Sequence, residues 1–142
     1  LRLVADCSIV TALCLGEDAP QFRASIDAFR AVMMTATVFV PSLWPTELAN
    51  AIVNAERRHR VEPSDRERLV EDGFAMSPVV EEALDRDGLL RLMALATRHG
   101  LTVYDALYVD LALRTGSVLA SLDGAMLRAA RKEGIAVLGD PA

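Results

Sequence analysis

No apolar run in this sequence reaches the ~18 residues that a membrane-spanning helix needs, so no such span is expected. Cysteine is scarce. The two present, Cys7 and Cys14, would stand two turns apart on one helix, about 10 Å at 1.5 Å per residue. A disulfide needs Cα atoms within about 7 Å, and the spacing is not that of a zinc site, so two buried thiols in a reducing cytoplasm are expected. Positive charge is in deficit, with 15 Lys and Arg against 20 Asp and Glu and a formal net charge of −5. That excludes binding of nucleic acid by bulk electrostatics; any nucleic acid must be held by a local basic patch or by metal ions. Lysine is nearly missing, Lys132 being the sole instance. Glycines do not cluster: Gly16-Glu17 and Gly124 are isolated, so neither a P-loop nor a dinucleotide fingerprint is present. The opening Leu1-Arg2-Leu3-Val4-Ala5-Asp6 lacks the charged region, apolar stretch and cleavage site of a signal peptide, which again points to a cytoplasmic protein.

What is present is globular. Hydrophobic residues make up 52% and charged residues 25% of 142 residues, enough chain for one domain over 1–142 with a sizeable core. Short apolar runs predict strands at 3–5, 37–40, 78–80, 118–120 and 135–138. Helical spacing of apolar residues predicts helices over 8–15, 19–34, 43–59, 63–75, 83–99, 102–114 and 123–133, the fourth opening with a capping box at Ser64 and Glu67. Strands that alternate with helical crossovers make parallel connections. The expected fold class is therefore α/β, a three-layer α/β/α sandwich with a mostly parallel sheet of about five strands. Ligands in such sheets bind outside the carboxyl ends of the strands.

Four acids fall at such ends. Asp6 closes the first strand, Glu47 lies in the first turns after the second, Asp105 opens the helix after Gly100, and Asp123 follows the fourth strand. Each has a plain reading alone: Asp6 and Asp123 as helix caps, Asp105 as the last residue of a Thr102-to-Asp105 capping box, Glu47 as a charge at the positive end of its helix. Together they weigh differently. Carboxylates about 5 Å apart repel by roughly 3 kcal/mol per pair at an effective dielectric near 20. A converging set needs protonation or a cation, and oxygen ligands without His or Cys select Mg²⁺ or Mn²⁺. An acidic site holding such ions suits phosphodiester hydrolysis.

Around these acids stand Val4-Ala5-Asp6-Cys7-Ser8, Val40-Pro41-Ser42-Leu43-Trp44-Pro45-Thr46-Glu47-Leu48-Ala49-Asn50-Ala51, Leu101-Thr102-Val103-Tyr104-Asp105-Ala106-Leu107-Tyr108 and Leu119-Ala120-Ser121-Leu122-Asp123, in that order over nearly the whole chain. Together these stretches resemble the PIN-domain ribonucleases, and among them the VapC-type toxins of type II toxin–antitoxin pairs. The resemblance implies a PIN-like fold, an Mg²⁺- or Mn²⁺-dependent endoribonuclease acting on RNA, a homodimer, and a small antitoxin protein as inhibitor. DNA would be met only indirectly, through that antitoxin. By position, Asp6 and Asp105 match the principal metal ligands and Glu47 and Asp123 the remaining acids of the quartet. Ser8 matches a hydroxyl-bearing position near the first Asp, and Ser121 stands where the family often has Thr.

Other readings compete. A receiver-type phosphoacceptor wants a lysine after its last strand, but Lys132 lies inside a helix. A haloacid-dehalogenase-like phosphatase wants Asp-x-Asp where this chain has Asp6-Cys7-Ser8. A non-catalytic partner-binding module, regulating transcription through its antitoxin complex, is the alternative of a different class. Among the remaining residues, Asp110 lies roughly 140° around the helix from Asp105 at 100° per residue and is expected to be a solvated or dimer-face acid. Arg57, Arg58 and Arg60 read as a solvated helix end, with phosphate or antitoxin contact as the alternative. His59 and His99 sit at helix C-termini that favour their protonated form. Trp44 is expected to wedge helix against sheet, and the Leu and Met face of 84–96 to be core or dimer interface.

Overall fold

In the computed structural model, which describes residues 1–141, the strand Arg2–Ala5 (β1) is the centre of the sheet. Leu3, Val4 and Ala5 are all fully buried. An unbroken apolar run, not an alternating one, is what a parallel strand covered on both faces requires. β1 pairs in parallel with Thr37–Val40 (β2) on one side and with Val118–Ala120 (β4) on the other. Val79–Val80 (β3) extends the sheet beyond β2, giving the order β3-β2-β1-β4.

The sheet has four strands where about five were expected. Residues 135–138 contribute only the parallel bridge between Leu119 and Val137. Gly134, at φ +75°, turns the chain back beside β4. Only Ile135 and Val137 bury their side chains there, so one face alone is packed and the contact ends after the hydrogen bonds flanking Leu119.

The helices are Cys7–Cys14 (α1), Pro20–Val32 (α2), Trp44–Arg57 (α3), Arg66–Phe74 (α4), Arg86–His99 (α5), Val103–Thr115 (α6) and Gly124–Lys132 (α7). α1 packs on α2, α3 and α4, while α6 packs on α5, α7 and the sheet. These groups and the sheet form the expected three layers. Two boundaries differ from expectation. α5 starts at Arg86, not near 83, because the Asp85 side chain caps Gly88 N at 2.8 Å. The capping contact before α4 involves Asp65, whose Oδ2 accepts from Glu62 N at 2.9 Å across a 3₁₀ turn, not Ser64 and Glu67.

Trp44 is fully buried and meets Phe74 edge-on, with ring centroids 5.1 Å apart. The wedge thus locks α3 to α4, and Gly73 lets the two helices close: a Cβ there would stand 2.7 Å from Leu48 Cδ2. Cys7 is buried and Cys14 half-buried, both as free thiols. Burial pushes Cys7 up to about 12 and Cys14 up to about 11, so neither is a thiolate at neutral pH. On α5, Leu92, Leu95 and Ala96 enter the core, whereas Leu89, Leu90 and Met93 are exposed.

Asp110 corrects an expectation. It does point away from Asp105, but that side of α6 is covered by α5, and the residue is only 2% exposed. Its carboxylate receives Arg91 Nε at 2.8 Å and Arg114 Nε at 2.7 Å. Arg114 also pairs with Glu81, which follows β3. Burial raises the Asp110 pKa, but the two guanidiniums outweigh it and hold the carboxyl below its ordinary 3.8. A lowered folded pKa means stability that is present above about pH 4 and lost as pH falls through the folded value. Asp110→Asn leaves two guanidiniums facing an uncharged amide. It should cost about 3 kcal/mol at pH 7, read from urea unfolding followed by the fluorescence of Trp44, the single tryptophan. A loss below about 0.5 kcal/mol would show that the network contributes nothing beyond an exposed ion pair.

Candidate active site

β1 delivers Asp6 to the carboxyl edge of the sheet. Its backbone N–H bonds Ala120 O at 2.9 Å, extending the ladder by one residue, and its side chain makes no cap bond to α1. The carboxylate is 5% exposed. Two hydroxyls donate to its Oδ2: Ser8 Oγ at 2.6 Å and Ser121 Oγ at 2.7 Å. The same hydroxyl oxygens accept from backbone: Ser8 Oγ from Leu122 N and Ser121 Oγ from Asp123 N, each at 3.0 Å. The turn after β1 and the turn after β4 are thereby pinned to one carboxylate.

Asp123 caps α7, with Oδ1 accepting from Met126 N at 2.8 Å. The plain reading of that residue therefore holds for one of its oxygens. Asp105 sits in the first turn of α6, where Thr102 caps Asp105 N at 3.1 Å; Gly100, at φ +64°, ends α5 and allows the turn that sets this helix beside the sheet edge. Glu47, in the first turn of α3, receives the hydroxyl of Tyr108. Tyr108 is 1% exposed, and burial together with the Glu47 acceptor drives its pKa far above the ordinary phenol value. It stays a donor at any working pH.

The structure brings the four acids into one electrostatic neighbourhood. Burial raises the Asp6 pKa against its two hydroxyls, and Asp123 raises it further. Burial raises Glu47 against Tyr108, with Asp6 and Asp105 adding. Burial raises Asp105, and then Asp123 and Asp6. Among the described residues no Lys or Arg pairs with any of the four, and no three His, Cys, Asp or Glu side chains already form a set around a single point that could hold an ion. The arrangement is an open cluster of hard oxygen donors with uncompensated charge, not a closed cage. That donor set fits a divalent cation of the Mg²⁺ type, which takes one or two carboxylates and keeps several waters.

Open space flanks the cluster on two sides. One cavity of about 580 Å³ touches Glu47, Asp105 and Tyr104; another of about 360 Å³ touches Ser8 and Asp123. Tyr108 is the residue that sequence reasoning left without a role. Its signal was its spacing: one turn after Asp105, on the same face of the helix.

Residues 3–132 match the PIN domain family. The chain is 31% identical over 123 residues to ribonuclease VapC3 of Pyrobaculum aerophilum, covering 87% of this chain and 90% of that protein. Its fold is also similar to the crystal structure of PAE2754 from Pyrobaculum aerophilum, with a TM-score of 0.69, 23% identity, and coverage of 97% of this chain and 84% of the other.

The raised pKa of Asp6 sets a pH dependence. Its folded pKa lies above the ordinary 3.8, so the contribution is neutral at low pH, where both states are protonated, and becomes a penalty as pH rises through the folded value. Asn at position 6 can accept both hydroxyls and carries no charge. In EDTA, Asp6→Asn should gain on wild type as pH rises from 4 to 8, ending with a melting temperature several degrees higher. A melting temperature well below wild type at pH 8 would mark Asp6 as a purely structural residue.

Proposed function

Because the chain belongs to the PIN domain family, we propose that it is a metal-dependent endoribonuclease, the toxin of a toxin–antitoxin pair, with Asp6, Glu47, Asp105 and Asp123 as the residues that hold Mg²⁺ or Mn²⁺. The observation that carries this reading is the convergence of four acids at one sheet edge with no cation paired to them, close enough that neighbouring carboxylates help raise the pKa of Asp6, Glu47 and Asp105. The likeness to a ribonuclease over most of both chains supports the substrate class. When bound, a divalent ion supplies Lewis acidity toward a phosphodiester and neutralises its charge.

The chain's own residues do the positioning. Ser8 and Ser121 hold Asp6 Oδ2, so the carboxylate presents one fixed orientation to the edge of the sheet. Tyr108 does the same for Glu47. Asp105 and Asp123 stand at the start of α6 and of α7, where the positive end of the helix favours negative charge. In this reading the partners are RNA, a second copy of the chain and a small antitoxin protein, with DNA engaged only through that antitoxin, and the protein works in the cytoplasm.

Purified protein should cut single-stranded RNA with Mg²⁺ or Mn²⁺, lose cleavage in EDTA, and not recover it with Ca²⁺, whose longer and looser coordination misplaces a reacting water. Asp105→Asn should fold as wild type and lose at least about 100-fold in activity, the scale on which removing an electrostatic stabiliser acts. Strong cleavage in excess EDTA, or full activity of Asp105→Asn, would overturn the proposal.

A further inference from the structure

The cavity of about 360 Å³ beside Asp123 is walled by Ser8 and Thr11 of α1, by Leu15 just past its end, by Phe22 near the start of α2, and by Arg60. Its shape is made by a reversal at the end of α3. Arg58 ends the helix, His59 takes φ +57°, His59 N bonds Glu56 O at 2.9 Å, and Arg60 N bonds Ala55 O at 2.9 Å. This double bond pattern closes many helices, but the left-handed position is normally glycine. A histidine there is uncommon, though among the side chains that tolerate the position, and the chain turns back so that Arg60 faces α1. The Arg60 guanidinium is loosely held: its one ion pair, to Glu17 Oε2, measures 3.9 Å, and its side chain remains 46% exposed. Glu17 is committed elsewhere, its Oε1 accepting from Asp18 N and Ala19 N. A second space of about 240 Å³, lined by Thr11, Asn54, Arg58 and Arg60, continues the cavity away from the acids.

We propose that this cavity is a nucleoside subsite: the base next to the scissile phosphate stacks on Phe22, and Arg60 takes the adjoining phosphate, with Arg58 next along the strand. The inference rests on the ribonuclease reading and names where its substrate lies. Three observations lead to RNA and not to a protein segment. The space adjoins the acidic cluster through Ser8 and Asp123. Its volume is at the lower end of the ~300–1,000 Å³ of small-molecule sites, too small for a helix about 10–12 Å thick with its side chains. It also joins an aromatic ring to Arg60, whose guanidinium is held only by the long ion pair to Glu17, and to Arg58 beyond it, the combination by which single strands are held.

The test uses an eight-nucleotide single-stranded RNA with one cleavage site, and versions in which one base at a time is removed. With wild type, loss of one base beside the scissile phosphate should raise KM about tenfold with little change in kcat, the scale of one base–aromatic stack. With Phe22→Ala, intact RNA should show that same tenfold weakening and the position-specific penalty should vanish; Phe22→Trp should restore it. Arg60→Ala should weaken every RNA equally and reduce the salt slope by about 0.7, one phosphate contact on a single strand. Fluorescence anisotropy of the labelled octamer on Asp6→Asn reads the same differences without cleavage. An unchanged base profile in Phe22→Ala, or an unchanged salt slope in Arg60→Ala, overturns the subsite. So does a result in which both variants bind RNA normally but lose affinity for an antitoxin. If wild type binds the octamer through Phe22 and Arg60 yet never cuts RNA, the subsite stands and the nuclease reading falls.

Discussion

Like charges are forced together at the carboxyl edge of the sheet, and the surrounding structure is arranged to bear that. The parallel ladder carries Asp6 to the end of the most buried strand. The loops after β2 and β4 and the start of α6 bring Glu47, Asp123 and Asp105 to the same edge. Nothing in the described residues neutralises them; instead hydroxyls donate to them. Ser8 and Ser121 serve Asp6, and Tyr108 serves Glu47. A hydroxyl orients a carboxylate and supports its charge without cancelling it. A lysine or arginine in those places would have removed the repulsion and with it the fit to a divalent ion.

The contrast with Asp110 makes the point within one helix. Asp105 and Asp110 both belong to α6. Asp110 is buried and fully paired, and two guanidiniums hold its pKa down. Asp105 has no such partner, and burial with neighbouring carboxylates pushes its pKa up. The first joins helices; the second is left in want of a cation. Pairing with cations, more than the presence of an acid, separates a structural carboxylate from one available for chemistry.

Much of this was legible in the sequence, for reasons that can be named. β1 was readable because a parallel strand buried on both faces must be continuously apolar. Asp6 stood out because a charge directly after such a run lies at a strand end, and Asp123 because it follows the fourth strand within three residues. The fifth strand was over-read: residues 135–138 have strand composition, but only one face finds a core, and one bridge is all that forms. Asp110 was misread because a helical wheel gives direction and not what lies there; only α5, folded against α6, turns that direction into an interior. The turn at His59 was invisible because histidine carries no mark of a left-handed residue, so the placement of Arg60 could not be foreseen. Tyr108 could have been paired with the acids from its spacing, yet its partner Glu47 is 61 residues away, a contact that only the tertiary fold creates.

In the proposed reading these carboxylates form one site of uncompensated negative charge that takes up a divalent ion. Carboxylates with raised pKa values keep their protons to higher pH than free ones, and an ion that binds them must displace any proton they hold. Mn²⁺ titrated into metal-free protein in weak buffer, with proton release followed directly, should therefore release protons as it binds. The release should fade toward pH 8 and be smaller in Asp6→Asn. Binding with no proton release at any pH from 4 to 8, or with the same release in Asp6→Asn as in wild type, would contradict the account.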